Sequence, residues 1–255
     1  MDLSQSKAVI TGGVSGLGLA VARRLVAAGG KVTLFDVNAD KAEAALAELG
    51  DNAQFLAVDV TDEQAVRAAL AKAAEFSDGI NAAINCAGVL GAGRALGREA
   101  PMPLGRFATT VQINLVGSFN MAKEAAAVMQ NNEPNADGER GVIINTASVA
   151  AYEGQVGQAA YSASKAGLVG MTLPLAREFT RFGIRVMTIA PGIFHTPMVD
   201  EMPPAVQESL GASIPFPQRL GKSAEFADLA AHIIENAYLN GSTIRLDGAV
   251  RLQAK

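Results

Sequence analysis

Short apolar runs alternate with longer helical patterns along nearly the whole chain, and that alternation limits the folds open to it. Lys7–Thr11, Lys31–Asp36, Ala53–Val58, Ile80–Asn85, Gly141–Thr146, Ile184–Ile189 and Thr243–Leu246 read as strands. Between them, Gly16–Ala28, Ala39–Leu49, Asp62–Phe76, Leu104–Gln130, Gln158–Phe182 and Ala224–Asn236 read as helices. Thr61 is the expected cap of the third helix, and Pro174 is expected to kink or locally break the fifth. Continuous apolar strands separated by helices require a parallel sheet covered on both faces. The expectation is an α/β fold, a doubly wound sheet of about seven strands forming one domain over residues 1–255. Hydrophobic residues make up 49% of the chain and aromatics only 5%, which suits close packing of helices on a sheet. Two stretches fall outside the alternation. They are a polar, glycine-containing insertion at 89–103 and a Pro-rich segment at 195–217, expected to fold as a mobile flap with short helices.

Charge and composition exclude several functions. The net charge is −4 with the basic residues scattered, so no nucleic-acid footprint is expected. No apolar run approaches the ~20 residues that span a bilayer. The first strand begins at Lys7, leaving no room for a cleavable signal, so a cytoplasmic protein is expected. Cys86 is the only cysteine, and His195 and His232 lack ligand spacing, so neither a disulfide nor a metal site is expected.

The first strand runs into Thr11-Gly-Gly-Val-Ser-Gly-Leu-Gly18, which opens a helix. Glycines 12, 16 and 18 allow a tight turn and close approach of backbone to a pyrophosphate at a helix N-terminus. An ordinary strand–helix turn can carry such glycines; the strand–turn–helix context at the head of an alternating chain favours dinucleotide binding. Asp36 ends the second strand, where a carboxylate accepts both adenosine ribose hydroxyls and repels a 2′-phosphate. No Arg or Lys occurs within 12–18 and Val37 follows Asp36, so NAD is expected rather than NADP. Asp59 and Val60 follow the third strand, within reach of an adenine, and Asn85-Cys-Ala-Gly88 ends the fourth at the edge where such sheets bind ligands. Cys86 has no visible cationic partner and reads as a packing residue beside the cofactor.

Tyr161 and Lys165 stand four apart on one helical face, with Ser148 thirteen residues before the tyrosine. A phenol titrates near ~10, and a neighbouring ammonium favours its phenolate, so Lys165 is expected to bring Tyr161 toward the range of a useful base. Ser148 can hold the oxygen of an alcohol or carbonyl. The three groups manage the proton of an alcohol–ketone interconversion, and a nicotinamide must manage the hydride.

Taken in order, Thr-Gly-x-x-x-Gly-x-Gly at 11–18, Asn-Cys-Ala-Gly at 85–88, Asn114, Ser148, Tyr-x-x-x-Lys at 161–165 and Pro191-Gly192 resemble the short-chain dehydrogenase/reductase family. The resemblance spans essentially the whole chain and implies a Rossmann-type sheet. It implies Tyr161 as general acid/base, Ser148 as orienter of the reacting oxygen, Lys165 as holder of the nicotinamide ribose, and Asn114 as the end of a water-linked proton relay. The family's cofactor contacts fall on Ser15, Leu17, Asp36, Asp59, Val60, Cys86, Tyr161, Lys165, Phe194 and Thr196. Within the family, Gly141–Ala150, Glu153–Gln158, Arg185–Gly192 and Ile244–Gly248 look like the type II 3-hydroxyacyl-CoA dehydrogenase branch, which carries an insertion after the fourth strand. That likeness implies interconversion of a (3S)-3-hydroxyacyl-CoA and its 3-oxo form, with Gln155 facing substrate. Arg94, Arg98, Arg106 and Arg219 can meet CoA phosphates or simply form a solvated surface. Departures at Tyr152, His195 and the insertion bear on acyl preference rather than chemistry. A hydroxysteroid or other secondary-alcohol dehydrogenase, a 3-oxoacyl-carrier-protein reductase and a non-catalytic NAD-binding scaffold are the alternatives. The family implies a homotetramer built through the long helices and the C-terminal strand region. Leu246–Leu252 is apolar enough for such a contact or for burial in its own subunit.

Overall fold

In a computed structural model that describes residues 1–196, 199 and 202–254, seven strands form one all-parallel sheet. They are β1 (Lys7–Thr11), β2 (Lys31–Asp36), β3 (Ala53–Ala57), β4 (Ala82–Asn85), β5 (Gly141–Thr146), β6 (Ile184–Pro191) and β7 (Thr243–Leu246). Their order is β3-β2-β1-β4-β5-β6-β7. The chain therefore winds outward from β1 in one direction and then from β4 in the other. Between β1 and β4 the flanking connections part, leaving a crevice beyond the carboxyl ends of the strands.

Alternate strand residues face opposite layers, and both layers are apolar. Ile10, Leu34, Ile84, Ile144 and Met187 pack with helices α1 (Gly16–Ala27) and Ser223–Glu235. Val9, Ala83, Ile143 and Val186 pack on the other face, against α3 (Glu63–Ser77), α5 (Gly117–Met129) and α6 (Ala159–Phe179). Burial on both faces is why these strands read as unbroken apolar runs. Helix α2 (Ala42–Leu49) lies at the β2–β3 side, and α4 (Leu104–Val111) leads into the long helix.

Several local expectations shift. Asp62, not Thr61, caps α3: its carboxylate accepts from the Gln64 and Ala65 amides, while the Thr61 hydroxyl donates to Asp59 Oδ1 at 2.7 Å. A carboxylate at that position satisfies two free amides of the first turn and complements the helix dipole. Residues 39–41 form a 3₁₀ turn before α2 begins. β4 starts at Ala82 rather than Ile80, and β6 runs on to Pro191. Pro174 lies inside a continuous α6, and the local break in bonding expected of it falls at Gly170, an exposed residue whose carbonyl has no proline N–H to accept. The long helix spanning 104–129 contains a π-helical stretch, Gln112–Val116, which carries Asn114. In the expected flap, Pro204–Ala212 forms a helix, and Pro197, Met198, Asp200 and Glu201 lie outside the described residues.

Candidate active site

A cavity of about 730 Å³ follows the crevice at the carboxyl ends of the strands. At one end, Gly12 and Gly16 take left-handed backbone angles, with φ of +63° and +52°. A Cβ on Gly18 would overlap the Gly12 carbonyl, and one on Gly12 would lie 2.9 Å from the Ala87 amide nitrogen. The loop thus packs directly against the end of β4. Thr11 fastens that junction: its Oγ1 accepts from the Cys86 and Ala87 amides, both at 3.1 Å. Ser15 makes no side-chain cap to α1, and no acidic residue occupies the first turn. The amides at the start of α1 are thereby left for an anion.

Asp36 stands at the end of β2 and accepts from the Asn38 amide at 3.0 Å. Val37 beside it is exposed and brings no cation. Asp59 points its carboxylate at the Thr61 amide and hydroxyl, and Val60 is buried, its carbonyl held by Asn120. Cys86 is packed beside them, with Sγ 3.4 Å from Thr146 Oγ1. Burial pushes its thiol up to about 11, the opposite of what a nucleophile needs.

At the far end stand Ser148, Tyr161 and Lys165. Ser148 caps the short turn Val149–Ala151 by accepting the Ala150 amide at 3.1 Å, which leaves its hydroxyl proton to donate elsewhere. Lys165 is 5% exposed, and its Nζ donates to the Thr146 carbonyl at 2.6 Å. It lies 5.7 Å from the centroid of the Tyr161 ring. Burial lowers the Lys165 ammonium to about 8. Burial also raises the Tyr161 phenol, with the hydrogen bond to Ser148 pulling it partway back. The expected lowering of Tyr161 by Lys165 is therefore not what the free protein has. Desolvation of the phenolate sets the direction, and the Lys165 ammonium is itself desolvated and turned toward a carbonyl.

Asn114 is fully buried and does not line the cavity, unlike the other residues expected to serve catalysis or the cofactor, each of which does; the four candidate arginines do not. Its Oδ1 accepts from the Val89 amide at 2.8 Å, and its Nδ2 donates to the Val89 carbonyl at 2.9 Å and to Ser164 Oγ at 3.0 Å. It clamps the end of β4 to α6. Across Gly88 it neighbours Lys165: a Cβ there would lie 3.1 Å from Asn114 Oδ1 and 3.5 Å from Lys165 Nζ.

Gln155 lines the cavity and exchanges hydrogen bonds with Gln158. Of the arginines, Arg219 is paired bidentately with Glu225 and Arg106 donates to the Ala92 carbonyl. Arg94 lines a separate 440 Å³ hollow between the insertion and Gly154–Ser162. Thr11 heads the glycine motif, but its tie to the amides after β4 is a further contribution. Thr146 and Ser164 sit next to recognised motif residues, and adjacency was the available signal. Leu252 lines the cavity from beyond β7 and carried none.

A family model described as short chain dehydrogenase matches residues 6–207. The chain is 52% identical over 248 residues to the 3-hydroxyacyl-CoA dehydrogenase type-2 of Homo sapiens, covering 96% of this chain and 95% of that protein. It is 35% identical to the ipsdienol dehydrogenase of Ips pini over 98% of this chain and 99% of the relative. The crystal structure of 3-hydroxyacyl-CoA dehydrogenase type-2 from Mycobacterium avium superimposes with a TM-score of 0.93 at 43% identity, covering 97% of this chain and 96% of that one. With a short-chain dehydrogenase model matching most of its length and relatives alike over nearly all of it, the chain belongs to the short-chain dehydrogenase family.

Proposed function

We propose that this enzyme uses NAD to interconvert a (3S)-3-hydroxyacyl-CoA and the corresponding 3-oxoacyl-CoA. The observation that carries the reading is that Ser148, Tyr161 and Lys165 share one cavity with Asp36 and the glycine loop, in a chain half identical to proteins of that name. The residues fit the cofactor: Gly12 and Gly18 let the loop pack tightly on its own backbone and on Ala87 while lining the cavity at the uncapped start of α1. The free amides of α1 would hold its pyrophosphate, Asp36 the adenosine ribose, Asp59 and Val60 the adenine, and Lys165 the nicotinamide ribose. The segment from Pro191 through Thr196 lies along the other side of the same cavity. Asp36, with no Arg or Lys in the loop, supports NAD over NADP.

The chemistry that a bound nicotinamide supplies is acceptance or return of the hydride at substrate C3. The protein handles the proton. Ser148, with its lone pair engaged by Ala150, donates to the substrate oxygen and fixes its position. Tyr161 exchanges the proton with that oxygen. In this reading Lys165 supplies positive charge as the phenolate develops, and Asn114, across Gly88 from it, completes the relay toward water. General acid–base help of this kind contributes roughly 10²–10⁴ in rate, so positioning must supply much of the remainder. Among the described residues no helix is long and apolar enough to cross a membrane. The lone cysteine accords with a reducing, cytoplasmic setting. The homotetramer is what the family resemblance implies, and the exposed Val116 and Phe119 on the long helix are apolar residues that a subunit contact would cover.

Turnover of acetoacetyl-CoA and of a ketosteroid, each with NADH and NADPH, tests the reading through reduced-cofactor absorbance. Acetoacetyl-CoA with NADH is expected to be the preferred pair. Turnover of the steroid without the thioester would replace the substrate, and preference for NADPH would replace the cofactor.

A further inference from the structure

The chain beyond β7 turns back across the carboxyl edge of the sheet. Asp247, Gly248 and Ala249 make the turn, with left-handed φ of +56° at Gly248 and +65° at Ala249, and Asp247 Oδ1 accepts the Ala249 amide at 3.0 Å. Left-handed backbone is uncommon for alanine and persists where surroundings impose it. Here they do. Arg245 forks onto Glu153 at 2.7 and 2.9 Å and onto Asp247 at 2.7 Å, while Arg251 donates to Asp247 at 3.1 Å. The Arg245 guanidinium also lies 5.0 Å from the centroid of the Tyr152 ring. Val250 packs with Val199, Ile214 and Leu220 beneath the Pro204–Ala212 helix. The tail then binds the turn before α6 directly: the Gln253 carbonyl accepts from Gln155 Nε2 at 3.2 Å, and the Ala254 carbonyl accepts the Val156 amide at 3.0 Å. Between the packed Val250 and these ties, Leu252 faces the cavity that holds Tyr161 and Gln155.

We propose that Leu252 is a specificity-determining residue, a fixed apolar wall against which the acyl portion of the substrate is measured, and that the Arg245–Glu153 pair holds this wall in register with Gln155. The inference rests on the hydroxyacyl reading of the site. Two features separate Leu252 from generic packing. It is only partly buried, so its side chain meets the cavity rather than the sheet core. Gln253 is anchored through its carbonyl and Arg251 through its guanidinium on Asp247, so a change of the Leu252 side chain alters the wall's surface and not its course. An apolar wall discriminates by bulk, with roughly tenfold or more per methylene gained or lost at a snug contact.

The test is kcat/KM for 3-oxoacyl-CoA substrates from four to twelve carbons, with NADH, for the native chain and for Leu252→Ala, Leu252→Met and Leu252→Trp. The expected result is a shift in the long-to-short ratio. Leu252→Trp lowers it roughly tenfold or more, Leu252→Ala moves it the other way, and Leu252→Met stays near the native ratio. NADH affinity, read from the fluorescence of the bound dihydronicotinamide, should be retained in all three, which separates a wall effect from misfolding. A native chain that turns over the series, with one ratio shared by all three variants that bind NADH, would overturn the role of Leu252. A native chain inactive on every acyl-CoA would instead overturn the substrate reading on which it stands.

Discussion

Lys165 gives its ammonium to the Thr146 carbonyl at 2.6 Å while standing 5.7 Å from the centre of the Tyr161 ring. The phenol and the ammonium are neighbours whose charged forms both suffer from burial. Lys165 is lowered to about 8 and Tyr161 is raised. Each shift tells how stability should vary with pH. Between about 8 and the ordinary lysine value near ~10.4, the unfolded chain holds the Lys165 proton and the folded chain does not. Stability contributed by this site therefore rises with pH across that window, by up to roughly 1.4 kcal/mol per pH unit. Tyr161 acts above it: the folded phenol keeps its proton where the unfolded one has lost it, so its contribution falls as pH climbs past about 10. Denaturant titrations at intervals from pH 7.5 to 10 should show the first slope in the native chain and lose it in Lys165→Met. A native slope equal to that of the variant would mean that Lys165 is not depressed.

Asp36 should decide which nicotinamide is used. Replacing it by Asn keeps the shape and removes the charge that opposes a 2′-phosphate. The NADP-to-NAD ratio of kcat/KM is expected to rise roughly tenfold or more, because like-charge opposition at close range costs on the order of kcal/mol. An unchanged ratio would assign Asp36 to the Asn38 amide alone.

Gly18 packs on the carbonyl of Gly12, backbone against backbone, where neither can move without opening the loop. Gly18→Ala should therefore lower the thermal midpoint and weaken NADH binding together, with an overpacking cost of roughly 1–3 kcal/mol. Calorimetry and fluorescence titration check the pair. Full retention of both would show that the loop relaxes freely and is not the rigid cradle described.

Asn114→Ala removes the group that satisfies both the amide and the carbonyl of Val89. Stability is expected to fall by roughly 1–3 kcal/mol, since the partly buried Val89 groups and the buried Ser164 hydroxyl lose a partner. If Asn114 also serves the proton relay, kcat drops in the folded variant and its pH profile shifts, while NADH affinity holds. A stability loss with an unaltered kcat and pH profile would leave Asn114 a clamp and nothing more.

The strands and the cofactor loop were legible because short-range chemistry fixes them. A strand buried on both faces has to be apolar throughout, and the turn at Gly12–Gly18 admits no side chains at its closest approaches. Tyr161 and Lys165 were legible for the same reason, one helical turn being a local relationship. What escaped was decided by distant partners. Asp62 displaced Thr61 as cap because Asp59 draws in the Thr61 hydroxyl. The titration of Tyr161 depends on how deeply the tertiary fold buries it. Leu252 comes from the far side of β7, and neither its spacing nor its type connects it to Gln155. The two are brought together by hydrogen bonds from Gln155 and Val156 to the tail and by an ion network spanning Glu153 to Arg251.

The role given to Tyr161 is tested most directly by Tyr161→Phe, assayed with acetoacetyl-CoA and NADH beside the native chain, with NADH binding measured in both. Loss of turnover by roughly 10²–10⁴, with binding preserved, is the predicted result. Near-native turnover in the variant would contradict it.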